Sequence, residues 1–259
     1  MDALPSELAR LPRFLLAGAP EIGAAAPLVE GELHHAARVL RLAAGDRALG
    51  LDGRGRAWPL EAFRGQGRRP ELELRVSGPA WCAPAPGSPQ APLPWIELCF
   101  PWPRPGREEA LLERTAQFGA ARLQPLRCAH TGPEDRAGRA RRAERVLLQS
   151  LKQSRGLWAP ELQETLAPAQ VAEFSGREIV LDPGAELPLL ARLTPEPRAP
   201  LRLWIGPEGG FSPAEAQALA QRGARPARLG PFVLRIETAA EAALAVAVAV
   251  AESAGSAGS

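Results

Sequence analysis

The sequence predicts an α/β protein: a small β-rich domain, then a larger domain whose mostly parallel strands are covered by helices on both faces. Three observations carry this. Up to about residue 78 the chain reads as short apolar strands broken by glycine. Pro79–Pro94 then holds six prolines. Proline removes a backbone donor and fixes φ, so this stretch belongs to neither a central strand nor a helix interior. Beyond it strands alternate with helices, as in a parallel sheet with helical crossovers.

The elements follow in order. Within residues 1–78, RFLLAG, DRALGLDG, RAWPLEAF and ELELRVSG are strands, Asp52-Gly53 is a hairpin turn, and Glu32–Arg41 is a short helix. Residues 79–94 are the linker. In the domain 95–253, WIELCF is a strand, REEALLERTAQFG a helix ending at Gly119, and ARLQPLRC the next strand. A basic helix spans about Gly138–Ser154. EIVLDP, a short helix near Glu186–Arg192, LRLWIG, a helix over Pro213–Arg222, ARLG and an Ala-rich helix from about Glu237 complete the order. Residues 254–259 form a polar tail of small residues, expected to be flexible.

Composition narrows the function classes. With 46% hydrophobic residues the chain can bury a core. Cys82, Cys99 and Cys128 are odd in number and lack CxxC spacing, which disfavours both a disulfide scaffold and a zinc site; a reducing cytoplasm fits. MDALPSELARLPRF lacks the basic start and apolar core of a signal peptide. The longest apolar run, Ala242–Ala251, is about half of the ~20 residues needed to cross a bilayer, so no membrane partner is expected.

The net charge of +2 implies no polyanionic partner, but its distribution does. Arg136, Arg139, Arg141, Arg142, Arg145, Lys152 and Arg155 face a single acid, Glu144, within twenty residues. On a helical wheel Arg141, Arg142, Arg145 and Lys152 fall on one side, while Ala140, Ala143, Leu147 and Leu151 fall largely on the other. A solvated charged face is the usual cause of such a pattern. The near absence of compensating acids favours a phosphate-binding surface.

Two glycine-bearing segments carry the chemistry. In LRLWIGPEGGFSPAEAQAL an apolar strand, Leu201–Ile205, runs into Gly206-Pro207-Glu208-Gly209-Gly210. Ser212-Pro213-Ala214-Glu215 then forms a capping box. That places the loop at the carboxyl end of a parallel strand, where open α/β sheets bind ligands, and paired glycines let a flat ligand reach the backbone. A plain tight turn is the alternative. No GxGxxG or P-loop is present. In RLGPFVLRIETAAEAALAVAVAVA, Arg235 and Glu237 stand between two apolar stretches, and burying such groups without a task is costly. His34 and His35 are adjacent and point apart, which disfavours a metal site. His35, Arg38 and Arg41 are either solvated or nucleic-acid contacts.

H-x-x-x-VLRL-x-x-GD (His35 to Asp46), QSR…P (Gln153 to Pro160), IGPEGGFS-x-x-E (Ile205 to Glu215) and LG-x-x-(I/V)LR-x-ETA (Leu229 to Ala239) together resemble the RsmE family. These are SPOUT-superfamily methyltransferases that act on N3 of a uridine in 16S ribosomal RNA. The resemblance implies an N-terminal PUA-like RNA-binding β-barrel and a C-terminal SPOUT-type parallel sheet with a deep trefoil knot. It implies S-adenosyl-L-methionine as cofactor, the small ribosomal subunit as partner, and a homodimer. By position it assigns cofactor binding to Leu181, Ile205, Gly206, Pro207, Glu208, Gly209, Gly210, Leu229, Gly230, Val233, Leu234, Thr238 and Ala239, beside Asp182-Pro183. His35, Arg38, Arg41, Arg141, Arg142, Arg145 and Arg155 would contact RNA. Arg235 would stabilise charge developing on a uracil carbonyl. Glu237 would either orient Arg235 or accept the N3 proton. One stretch departs from the family: ERTAQFG, Glu113–Gly119, stands where members show a QKxxELG-like run. It is the support for the rival reading, a non-catalytic RNA-binding paralogue or assembly factor. A SPOUT ribose 2′-O-methyltransferase is a further alternative, which LRIETAA disfavours.

Overall fold

A computed structural model describes residues 6–65, 71–131 and 138–256. Arg136 of the basic run lies outside the described residues. The chain forms two compact units, one of 1–85 with 148–159, the other of 86–147 with 160–259.

The first unit opens with α1 (Ser6–Ala9) and β1 (Arg13–Leu15). Then come α2 (Glu32–His34), continued by a π-helical turn over His35–Val39, and β2 (Arg47–Leu51), β3 (Arg56–Arg64), β4 (Leu72–Val76) and β5 (Trp81–Cys82). β1 lies parallel to β2, β2–β3–β4 run antiparallel, and β5 pairs with β3. Residues 24–28 bridge the two outer strands: Leu16 pairs with Leu28, and Ala25 with Arg75. In the β2–β3 turn the Asp52 carboxylate accepts from the amides of Arg54 (2.8 Å) and Arg56 (3.1 Å). Gly53 and Gly55 take positive φ there. A side chain at Gly53 would strike Leu148, and one at Gly55 would strike Trp158. Residues 148–159 are therefore built into this unit. Leu151 and Leu157 share an apolar cluster with Leu15, Leu49, Leu51 and Ala57, and Lys152 reaches the buried carboxylate of Glu32 at 2.8 Å.

The second unit holds β6 (Ile96–Pro101), α3 (Glu108–Gln117), β7 (Arg122–Leu126), α4 (Arg139–Ser154, of which 148–154 belong to the first unit), β8 (Glu161–Leu162) and β9 (Arg177–Leu181). Next come α5 (Leu189–Leu193), β10 (Leu201–Ile205), α6 (Pro213–Gln221), β11 (Arg225–Ala227) and α7 (Ile236–Ser256). All six strands pair in parallel, in the order β11-β9-β10-β6-β7-β8, so this is an α/β fold. The apolar strands β6 and β10 are buried along their whole length, as a sheet covered on both faces requires. α7 is long and apolar enough to match a membrane span by composition. Here Ala240, Ala243, Leu244 and Ala247 are buried in the core, and Glu241 pairs with Arg114.

The stretch 79–94, expected to be the linker, contains the boundary between the two units, after residue 85, and has contacts of its own in each. β5 pairs with β3, and Arg198 donates to the carbonyls of Ala91 (2.8 Å) and Pro92 (2.6 Å), so the prolines lie in fixed chain on either side of the unit boundary. Of the tail expected at 254–259, residues 254–256 lie in the last turn of α7, and 257–259 lie outside the described residues.

Candidate functional site

β9, β10 and β11 are neighbours, and their carboxyl ends deliver three loops to one place. The loops surround a cavity of about 430 Å³, within the range of small-ligand sites. Its wall takes Val180–Pro183 from the first loop, Ile205–Phe211 from the second, and Leu229, Gly230, Phe232–Leu234 and Ala239 from the third and the start of α7. Twelve of the thirteen residues that the resemblance assigns to the cofactor thus face a single hollow. The exception is Thr238, which is exposed on the first turn of α7. Helical periodicity turns it to solvent, while Ala239, the next residue, faces the cavity.

Local sequence fixes this geometry. Ser212 caps α6, and the Glu215 carboxylate accepts hydrogen bonds from the Ser212 amide (2.8 Å) and hydroxyl (2.9 Å). Glu215 also accepts from the Ala129 amide at 2.8 Å, which ties the loop after β7 to the loop after β10. Gly210 sits at φ +75°, where a side chain would be strained. The loop after β9 folds around β11: the Asp182 amide donates to Ala227, the Leu189 amide to Arg228, and the Arg228 guanidinium to Ala185.

The lining suits S-adenosylmethionine. Apolar side chains offer a slot for a purine, and Gly209 and Gly210 leave room for close approach to backbone polar groups. No phosphate-binding loop is present, and this ligand carries no phosphate. Phe232 and Val233 stand at the rim 77% and 76% exposed, an unusual position for apolar side chains.

Beside this cavity lies a second hollow of about 340 Å³. Pro207 and Glu208 belong to both walls. The second wall adds Trp102, Arg104 and Arg107 from the loop after β6, His130, Arg139, and Glu237 from α7. Glu237 is buried and bonded to Arg107, and Arg104 holds Glu208 at 2.5 Å. Burial opposes charge on Glu237, yet its own backbone amide, the Arg107 guanidinium and the charge of Arg235 together hold the carboxyl below its ordinary value. Arg235 itself is exposed, in a shallow depression with Arg104, Arg107 and Glu208. Gly209 and Glu237 thus lie on adjoining hollows with a common wall. Neither Arg107 nor His130 is among the sequence-predicted site residues, since an arginine at a helix start and an isolated histidine carry no functional signal.

The residues assigned to RNA divide. Arg38 and Arg41 are exposed, and His35 is half-buried with its ring edge-on to Phe14. Arg155 is exposed at φ +60°. Arg141, Arg142 and Arg145 are exposed and make no ion pair with the described residues, while Ala143, Leu147 and Leu151 are buried. Lys152 and Arg139 leave the basic face, because Glu32 and Glu108 respectively neutralise them. Ala140 is exposed. The departing stretch Glu113–Gly119 falls largely on scaffold: Thr115 is fully buried on α3 and donates to the Leu112 carbonyl.

Comparison with known proteins agrees with this architecture. The RNA methyltransferase domain family matches residues 89–248. The ribosomal RNA small subunit methyltransferase E of Mycobacterium bovis is 30% identical over 87% of this chain and 86% of its own length. The protein of the same name from Synechocystis is 28% identical over 93% and 78%. A methyltransferase of Legionella pneumophila, solved with bound S-adenosylmethionine, superposes with a TM-score of 0.74 at 24% identity, covering 93% of this chain and 98% of its own.

Proposed function

The chain belongs to the ribosomal RNA small subunit methyltransferase E family, and on that premise we propose that it methylates N3 of a uridine in 16S ribosomal RNA. The family is S-adenosylmethionine-dependent, and two solved neighbours, from Legionella pneumophila and Neisseria gonorrhoeae, hold bound S-adenosylmethionine. The observation that carries the assignment is the convergence of three loops, at Leu181–Pro183, Ile205–Gly210 and Leu229–Leu234, on one apolar cavity at the carboxyl ends of adjacent strands.

The cofactor supplies an electrophilic methyl group on a positively charged sulfur. This chain's residues do the rest. The three loops hold and orient the donor, and alignment with the acceptor is worth up to about 7–11 kcal/mol of barrier. Uracil N3 lies on the Watson–Crick edge, so the base must be unpaired or flipped out to reach the second hollow. Arg235 meets charge developing on a uracil carbonyl, a role supported by the depression it shares with Arg104 and Arg107. Arg141, Arg142, Arg145 and Arg155 position phosphates, and His35, Arg38 and Arg41 add contacts from the first unit. The bridging of β1 to β4 through residues 24–28 supports a PUA-like barrel there. The wrapping of the β9 loop around β11 supports a trefoil knot. Exposed Phe232 and Val233 support burial against a second copy of the chain.

Two measurements test this. Calorimetry should show one S-adenosylmethionine bound per chain. Mass spectrometry of 16S ribosomal RNA from a deletion strain should show one uridine lacking an N3 methyl group, restored by the intact gene. No cofactor binding by pure protein, or no change in the RNA, defeats the proposal.

A further inference from the structure

Uracil N3 bears a hydrogen, and methylation there requires a group to take it. The two carboxylates in the second hollow are committed elsewhere: Glu237 to Arg107, Glu208 to Arg104. A carboxyl held below its ordinary value, as Glu237 is, makes a poor proton acceptor. His130 is differently placed. Its Nδ1 lies 3.0 Å from the carbonyl oxygen of Gly210. A carbonyl can only accept, so Nδ1 carries the hydrogen, and the neutral ring then presents a lone pair at Nε2. The backbone beneath the ring is fixed on both sides, by Ala129 donating to Glu215 at 2.8 Å and by the Thr131 hydroxyl donating to Cys128 at 2.7 Å. The ring touches the cofactor wall, since a Cβ built on Gly209 would meet Nδ1 at 3.5 Å.

We propose that His130 is the catalytic base that removes the N3 proton, and that the hollow between Trp102, Arg107, His130 and Glu237 seats the target nucleotide. This rests on the N3-uridine assignment above. The N3–H bond breaks and its proton passes to Nε2. The electron pair left on N3 forms the bond to the methyl carbon as the carbon–sulfur bond breaks, its pair remaining on sulfur. One positive charge thus leaves the sulfonium and one appears on the imidazole.

His130→Asn tests the base without disturbing the loop, because the side-chain amide can still donate to Gly210 while nothing replaces Nε2. It should bind S-adenosylmethionine within about twofold of the parent and lose about 10²–10⁴-fold in kcat. His130→Ala should recover part of its rate with added imidazole. Nitrogen NMR of the parent should show the Nδ1–H tautomer and a shift of Nε2 when uridine-containing RNA is added. An Nε2–H tautomer, or a His130→Asn enzyme keeping more than about a third of its kcat, overturns the assignment. If the parent binds no cofactor or methylates another atom, the N3 reading fails and this fails with it. If only His130→Asn is indifferent, the base assignment alone is lost.

Discussion

Gly209 has no left-handed backbone to explain its identity, and a Cβ there would make only ordinary contact with His130. The protein itself would tolerate a small side chain at this position. What it excludes is a side chain in the path of whatever enters the cavity. Gly209→Val should therefore weaken S-adenosylmethionine binding by at least about 100-fold, a cost near 2.7 kcal/mol, while shifting the unfolding midpoint little. Calorimetry beside a thermal melt separates the two effects. Gly210 differs: its positive φ makes any replacement a backbone problem first. The sequence marked both glycines equally, because a GG pair does not say which one bends the chain. Nor could it foresee the pairing of Arg107 with Glu237, 130 residues apart, or of Lys152 with Glu32. Such contacts follow from tertiary packing, and no local pattern reports them.

The capping box of α6 was legible because its signal lies in four consecutive residues. Its tertiary role was not, since the Ala129 amide comes from a distant loop. Burial opposes charge on Glu215, but the amides of Ser212 and Ala129, the Ser212 hydroxyl and the nearby His130 hold its carboxyl below the ordinary value. A carboxyl lowered in the folded state stabilises above its unfolded value, about 4.3, and loses that contribution as pH falls through the lower folded value. The parent should thus exceed Glu215→Gln in stability at neutral pH, and the gap should close below about pH 4. Urea titrations across that range check the sign. α4 supplies the other test at this scale. Ala143, Leu147 and Leu151 of its expected inner face are buried while Ala140 is exposed, and three arginines remain on its open face after Arg139 and Lys152 are neutralised. Replacing Arg141, Arg142 and Arg145 by alanine should reduce the salt slope of RNA binding by about 0.7–0.9 each. An unchanged slope would return this face to plain solvation. β5 and β8, two residues each, left no periodicity to read.

The division into a β-rich and a parallel α/β part was readable from the change of pattern near residue 79. Its discontinuity was not. Leu148, Leu151 and Leu157 look like the inner stripe and exit of any amphipathic helix, and no periodicity says which core they fill. They complete the cluster around Leu49 and Leu51. A fragment ending at residue 85 should therefore show no cooperative unfolding, as expected when several large side chains leave a core, at about 2–5 kcal/mol each. The same fragment joined by a short flexible linker to 148–159 should regain it. Far-UV circular dichroism against urea distinguishes the two.

That late-arriving segment also imposes a schedule on synthesis. A nascent chain presents the β1–β5 sheet first, yet residues 86–147 must emerge before the missing leucines do. At about 5–20 residues per second, the apolar face left open by Leu49 and Leu51 stays wet for several seconds on the ribosome that made it.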